Sequence, residues 1–344
     1  MKKDDYRRPV EESFPEKLVI GDVEFVKERS LRYGWNPGSP AAFYREVGAQ
    51  GPCLGNMRIV QENPDKTLGY INLEDAACLR LVQKLKSVYG KESVAAVMKH
   101  VNPSGVAKAA TLTEAFTRAW NCNALSAFGG VVCLSEVVNA EAAELIVPYF
   151  TEVVIAPGYS NDARELFAKK KDLRLIEVGA LEQAVVDSPI EYKKVPGGLL
   201  VQERYESKVT SIEKLSCVTE RKPSVSELNA ALFNWLVCGY VRSNAIVIGD
   251  ENQTIGIGTG QQSRIDSFRF AVWYANERSK MGCQAKTAAS DAFFPEPDCI
   301  ELAAKEGISC IVFTTGSKND KQVIECANKY GITLLDSGER CFTH

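Results

Sequence analysis

Histidine occurs only twice in the 344 residues, at His100 and at the terminal His344. His100 follows Lys99 in the stretch KHVNPSGVA. An imidazole with an unperturbed pKa near ~6.5 suits proton transfer at neutral pH. The same setting also fits a hydrogen-bonded structural histidine, and Lys99 equally fits a solvated strand-end lysine. SVAAVMKH (93–100) predicts a buried strand that stops at the Asn-Pro-Ser-Gly turn. Neighbours on a regular strand point to opposite faces, so Lys99 and His100 share a pocket only if the strand is irregular there.

A second constellation is RSNAIVIG followed by TIGIGTGQQSRI. Gly256, Gly258 and Gly260 alternate before a polar run that opens a helix, which can bring backbone N–H groups and Arg264 to an anion. A tight hairpin and helix cap explains the pattern equally well. The spacing is not that of a dinucleotide fingerprint. In AASDAFFPEPD, phenylalanine beside aspartate can sandwich a flat heterocycle whose N–H groups the carboxylate reads, or the ring can simply pack in the core. SAFGG (126–130) offers the same choice between backbone approach to a ligand and close packing.

Other chemistries fail on inspection. There is no second internal histidine for a histidine-rich metal site, no nucleophile elbow and no phosphate loop. The zinc deaminase signature is missing, because the chain reads His100-Val101-Asn102 and has no cysteine pair. The eleven cysteines are scattered singly, which points to reduced thiols in a cytosolic protein. Forty-one basic against 44 acidic residues leave no electrostatic footprint for nucleic acid. The start, MKKDDYRRPVEESFPEK, is too charged for a signal peptide, and no apolar run is long enough to span a membrane.

The elements that must position these residues alternate. LEDAACLRLVQKLKSVYG (73–90) reads as a helix that Asn72 can cap. After the strand at 93–100 come a helix near 113–122, the strand GVVCLS, the helix NAEAAELIVPYF, the strand EVVIAPG, a helix at 161–170 and the strand LRLIEV. A polar stretch from about 180 to 224 follows, with Ser224 capping SELNAALFNWLVCGYV. The pattern then restarts with NAIVIGD and TIGIGTG, the helix SRIDSFRFAVWYANERSK, then PDCIELAAKEG, SCIVFTTG, NDKQVIECANKYG and ITLLD. Alternating strands and helices predict an α/β layer structure. SAFGG and IAPG in the first half match SDAFF and FTTG in the second, which we read as an internal duplication. The expected domains are an N-terminal lobe over 1–195, a linker region over 196–224 and a C-terminal lobe over 225–344.

LRYGWNP (31–37), KHVNPSG, SAFGG, IAPG, GGLLVQ (197–202), RSNAIV, IGIGTGQQSR, SDAFFP, TTGS and RCFTH lie in order from residue 31 to 344. Together they resemble the AICAR transformylase domain of the bifunctional purine biosynthesis enzymes. The resemblance implies formyl transfer from 10-formyltetrahydrofolate, as co-substrate, to the 5-amino group of AICAR, giving FAICAR and tetrahydrofolate. It implies a fold of two cytidine-deaminase-like three-layer lobes without zinc, a cytoplasmic homodimer with shared sites, and no tightly bound cofactor.

Carried over by motif, His100 is the catalytic base, assisted by Lys99, and Asn244 with Gly129 contacts the imidazole carboxamide. Arg32, Tyr33 and Arg340 would hold the ribonucleotide, with Arg264 in the matching site run. Ile265, Phe293, Asp298, Ser317 and Lys318 match positions around the folate. Glu152 stands where many members carry a nucleotide-binding aspartate. The oxyanion of the tetrahedral state needs a donor, a role open to Lys99 or Asn244.

LRYGWNPGS replaces the usual LRYGENPHQ, so Trp35 stands for a glutamate and Gly38-Ser39 for His-Gln, and no Asp-Pro precedes SAFGG. The match begins near residue 31, so the expectation is a stand-alone transformylase without the cyclohydrolase domain. Alternatives on the same fold are a nucleotide-binding regulatory protein and a folate-dependent transferase with a different acceptor.

Overall fold

The computed structural model describes residues 10–279 and 287–344. Strands β1 (Lys17–Ile20), β2 (Val23–Ser30) and β3 (Ala42–Glu46) form a small antiparallel sheet. The chain then enters the first large sheet through β4 (Arg58–Gln61).

The helix expected over 73–90 is two helices, α1 (Tyr70–Ala76) and α2 (Leu79–Tyr89), interrupted at Ala77–Cys78. Asn72 serves the N-terminus from inside the first turn: its Oδ1 accepts the Gly69 N–H at 3.0 Å. Next come β5 (Ser93–Lys99), β6 (Asn102–Ala109), α3 (Leu112–Cys122), α4 (Ala124–Ala127), β7 (Val131–Leu134), α5 (Ala140–Ile146), β8 (Val153–Ala156), α6 (Asn161–Ala168) and β9 (Arg174–Glu177). The sheet order is β4-β9-β8-β7-β5-β6. β7, β8 and β9 are parallel, and β5 runs antiparallel to both β6 and β7.

The polar stretch after β9 carries a hairpin of β10 (Ile190–Val195) and β11 (Gly198–Glu203), then the short β12 (Ser216–Cys217). Ser224 starts α7 (Val225–Cys238) with a reciprocal cap: its Oγ accepts the Glu227 N–H, and the Glu227 carboxylate accepts the Ser224 N–H. β13 (Ile246–Gly249), β14 (Thr254–Gly258), α8 (Arg264–Glu277), β15 (Thr287–Ser290), α9 (Asp298–Lys305), β16 (Cys310–Phe313), α10 (Asp320–Tyr330) and β17 (Thr333–Asp336) follow. This second sheet is ordered β12-β17-β16-β15-β13-β14. Strand for strand it has the order and the directions of the first.

Alternation along each strand divides its side chains between two cores. In β5, Ala95 and Val97 face outward onto α3, α5 and α6, whereas Val94, Ala96 and Met98 face inward. The inward residues share one core with α1, α2 and α7 and with Val247, Ala289, Val312 and Leu335 of the second sheet. α8, α9 and α10 cover that sheet's outer face. The apolar α7 is buried nearly all round because it lies between the two sheets.

The edge strands β6 and β14 meet antiparallel. Val106 N–H donates to Thr254 Oγ1 at 3.0 Å, Lys108 N–H donates to Asn252 O at 2.8 Å, and Ala107 bridges Gln253. The start of β6 is thereby set beside the end of β14. Among the described residues, no cluster of His, Cys, Asp and Glu could hold a metal ion, and no helix is long and apolar enough to cross a membrane.

Candidate active site

β5 and β6 are joined by His100 and Val101 alone, with Lys99 paired to Asn102. Both residues take left-handed φ, 55° and 59°, as a type I′ hairpin loop requires. The turn therefore precedes the position read from the sequence, and Asn102-Pro103-Ser104-Gly105 opens β6. The pairing shifts there, with Val97 opposite Gly105 and Met98 opposite Pro103. A proline, having no N–H, is tolerated at such a bulge. A Cβ on Gly105 would overlap the Ala119 carbonyl of α3, so this glycine is a packing residue. Because the exposed His100 stands in the turn, the alternation that would set it opposite Lys99 ends before it.

The Lys99 ammonium donates to the Phe128 carbonyl oxygen, and a Cβ on Gly129 would stand 3.7 Å from Lys99 Nζ. Gly129 takes φ 72°, and its N–H bonds Phe150 O at 2.7 Å. Gly130 answers to packing, since a Cβ there would meet Met98 O at 2.7 Å. Glu152 N–H bonds Gly130 O at 3.0 Å, and its carboxylate pairs with the buried Arg174 guanidinium. Lys99, Gly129 and Glu152 thus gather at the amino ends of β7 and β8.

Beneath the turn lies Asp75 of α1, 4% exposed, which the sequence reading passed over. Its Oδ2 accepts the His100 N–H at 3.2 Å and its Oδ1 the Val101 N–H at 2.6 Å. Burial raises the Asp75 carboxyl above its ordinary pKa, and the two N–H groups only partly offset that. The available signal was a lone aspartate on the apolar side of LEDAACLRLV.

Asn102 joins this turn to the second half of the chain. Its Nδ2 donates to His100 O at 3.1 Å, while its Oδ1 accepts the Arg242 N–H at 3.0 Å and the Thr259 hydroxyl at 2.6 Å. Arg242 leads directly into Ser243-Asn244. The two N–H bonds of the Asn244 amide go to Gln261 O at 2.9 Å and Gln262 O at 3.1 Å, and its Oδ1 accepts from Arg264 Nη2 at 2.9 Å. Arg264 is buried, ion-paired with the fully buried Asp291 and bonded to Ser290 Oγ at 2.9 Å. Ser243 Oγ donates to the other Asp291 oxygen at 2.5 Å. The Asp291 carboxylate is therefore committed inside the fold. Phe294 stacks on Phe313 in the core, whereas Phe293 is 37% exposed.

Gly256 and Gly258 lie where a Cβ would overlap the carbonyls of Ala271 and Ser267 on α8. Their alternation lets the helix pack on β14. Gly260, with φ 67° and open space around it, is the turn residue of the run.

The remaining candidates ring the carboxyl ends of β15, β16 and β17, where open α/β sheets bind ligands. Ile265 follows Arg264, and Asp298 opens α9, its Oδ1 taking the Cys299 N–H at 2.7 Å. Ser317 and the exposed Lys318 follow β16; Ser317 N–H donates to Asp320 at 3.1 Å. Asn319 reaches across to Pro295 O at 2.7 Å, tying this loop to the one bearing Phe293. The segment after Arg340 lies along the same end, with Cys341 N–H on Asp291 O and Ser243 N–H on Thr343 O, both at 2.9 Å. The Arg340 guanidinium covers the Phe342 ring at 5.2 Å.

Arg32 and Tyr33 stand at the start of α1, apart from the turn. The Arg32 guanidinium meets the Tyr33 hydroxyl at 3.2 Å and lies over its ring at 4.7 Å. Among the described residues no carboxylate pairs with Arg32, and its Nε is buried without an acceptor. Trp35, 66% exposed, donates its Nε1–H to Glu74 at 2.7 Å and meets Tyr70 edge-on.

The family model for the AICARFT/IMPCHase bienzyme matches residues 4–274. The bifunctional purine biosynthesis protein PurH of Acetivibrio thermocellus is 36% identical over 335 residues, 97% of this chain and 62% of its own length. PurH of Cereibacter sphaeroides is 40% identical over 323 residues, 92% of this chain and 60% of its own. PurH of Listeria monocytogenes serotype 4b is 38% identical over 334 residues, with 97% and 62% covered. The chain spans about three-fifths of the length of these relatives. Among solved structures, a formate dehydrogenase accessory protein from Desulfotalea psychrophila reaches a TM-score of 0.23 at 9% identity, over 51% of this chain and 98% of its own, too low to carry a fold assignment. On the matched family model and these relatives, the chain belongs to the AICARFT/IMPCHase bienzyme family.

Proposed function

We propose that the protein transfers the formyl group of 10-formyltetrahydrofolate to the 5-amino group of AICAR, giving FAICAR and tetrahydrofolate. The observation that carries this reading is the junction at Asn102, which holds the Lys99-His100 hairpin against the loop of Asn244 and Arg264. The acceptor amine is conjugated to an imidazole bearing a carboxamide and is a weak nucleophile. His100 takes its proton as the nitrogen bonds to the formyl carbon, and a proton returns to the folate nitrogen as it leaves.

The oxyanion of the tetrahedral state falls to Lys99. Its ammonium has three donors with one given to Phe128 O, whereas both N–H bonds of Asn244 are already spent. Asn244 keeps a lone pair on Oδ1 and orients AICAR by accepting from it, with Arg264 and Asp291 fixing its amide. Gly129 lies against the imidazole carboxamide. Arg32, lacking a carboxylate partner among the described residues, waits for the phosphate beside Tyr33, with Arg340 as a second cation. Glu152, held by Arg174, takes the place of the usual nucleotide-binding aspartate. Ile265, Phe293, Asp298, Ser317 and Lys318 form the folate wall. Holding two large substrates in register supplies much of the remaining rate, and no tightly bound cofactor is required.

The matching order of the two sheets supports two cytidine-deaminase-like lobes descended from a duplication. The expected lobes over 1–195 and 225–344 need adjusting at the link over 196–224, because β12 within it pairs with β17 of the second sheet and β11 pairs back to β10. We take the working form to be a cytoplasmic homodimer.

An assay with AICAR and 10-formyltetrahydrofolate tests the function. The parent chain forms FAICAR, and His100→Ala lowers kcat by about 10²–10⁴-fold. A parent that binds AICAR without formylating it refutes the activity. A His100→Ala variant with near-parent turnover places the base elsewhere.

A further inference from the structure

The loop that presents His100 is not one its own residues favour. Type I′ loops favour Asn-Gly because both central residues need positive φ. A β-branched residue such as Val101, at φ 59°, rarely adopts that conformation unaided. What holds it must come from outside the hairpin.

The geometry points to Asp75 as a positioning residue that locks the His100–Val101 turn, its two carboxylate oxygens each taking one backbone N–H of the turn. Both amides point into α1, and Asn102 fixes the His100 carbonyl from the other side at 3.1 Å. Asp75 is buried between Leu73 and Ala76, which lie in the core shared by the two sheets, so the clamp rests on rigid structure. Asp75 does not act on substrate. It holds the backbone from which the imidazole projects. Asparagine in its place offers one acceptor and turns an N–H₂ toward an N–H, so one amide of the turn is left unbonded.

This inference rests on the formyl-transfer reading for its kinetic readout, and a second readout does not depend on that reading. Asp75→Asn, Val101→Gly and the double variant are compared in the full chain. Asp75→Asn lowers kcat by about tenfold or more while KM for AICAR and for the folate stays within about twofold. Glycine adopts positive φ freely, so the double variant recovers to within about threefold of Val101→Gly alone. Unchanged kcat in Asp75→Asn, or a double variant no better than Asp75→Asn, overturns the proposal.

Hydrogen exchange at the two turn amides is read in parallel. Both are protected in the parent, and Val101 N–H exchanges faster in Asp75→Asn. Fast exchange of both amides in the folded parent overturns the proposal even if Asp75→Asn does not fold. If AICAR is not a substrate, no variant forms FAICAR while the exchange pattern still holds, so failure of the two readings is distinguishable.

Discussion

Asn102 accepts the backbone N–H of Arg242 at 3.0 Å through an oxygen that also takes the Thr259 hydroxyl, while its amide nitrogen holds the carbonyl of His100. One side chain at the start of β6 therefore fixes the position of the His100 turn relative to the Asn244 loop. Asn102→Ala leaves the half-buried Arg242 N–H without its acceptor and the Thr259 hydroxyl with only the Arg242 carbonyl at 3.4 Å, and should cost about 1–3 kcal/mol in chemical denaturation. Asn102→Asp keeps the acceptor for Arg242 and Thr259 but turns a carboxylate oxygen toward the His100 carbonyl in place of the donor, so it should displace the turn and lower kcat. Equal effects of the two variants on stability would show that the acceptor half is not what holds the His100 turn to the Asn244 loop.

Gly258 separates packing from ligand approach. A methyl group there meets the Ser267 carbonyl of α8, so Gly258→Ala should destabilise by about 1–3 kcal/mol or more and lower Tm. Gly260→Ala, in open space at positive φ, should cost only about 1–2 kcal/mol. A Gly258→Ala variant of parent stability with weakened substrate binding would restore the anion-loop reading.

Arg264 and Asp291 form a buried ion pair. Asp291→Asn leaves the guanidinium without its counter-charge and should cost about 3–5 kcal/mol. Replacing both, as Arg264→Met with Asp291→Leu, should cost less than the sum of Arg264→Met and Asp291→Leu made singly, because each single change strands one charge and the double change strands none. The test is a double-mutant cycle by denaturant unfolding, and strict additivity would refute the coupling.

Glu227 marks an acid limb. Burial alone would raise its carboxyl, but Arg221, the Ser309 hydroxyl and the Ser224 N–H together bring it down to about 2. A carboxyl lowered on folding stabilises fully above its unfolded value near ~4.3, and that contribution is lost as pH falls through the folded value. The loss should amount to about 2 kcal/mol between pH ~4.5 and ~2, discounted because the Arg221 side chain is 38% exposed. Thermal unfolding across that window should show a shallower decline for Glu227→Gln than for the parent. Parallel curves would remove Glu227 from the acid limb.

Much of the fold is legible in the residues. Val94, Ala96 and Met98 alternate with Ala95 and Val97 because the strand has two buried faces, and Ser224 with Glu227 spells a helix start whatever surrounds it. The two sheets share one strand order, yet SAFGG stands before β7 while SDAFF follows β15, so the two stretches do not occupy equivalent places. The turn was not legible. Pro103 and Gly105 look like turn residues, yet one sits at a bulge and the other makes room for α3. Gly256 and Gly258 look like a ligand loop and make room for α8 in the same way.

The sequence by itself determined most of the helices, the central strands of both sheets and the residue types able to move a proton, since periodicity and capping are local properties of the chain; β1–β4, β6 and the β10–β11 hairpin carried no such local signal. Only the tertiary structure decided that His100 and Val101 form the turn. Their own preferences oppose left-handed φ, and the bonds that overcome those preferences come from Asp75, 25 residues away for His100 and 26 for Val101. It likewise decided that the His100 turn meets the Asn244 loop. That meeting depends on two edge strands lying antiparallel, a relation between residues some 140 apart that no local pattern encodes.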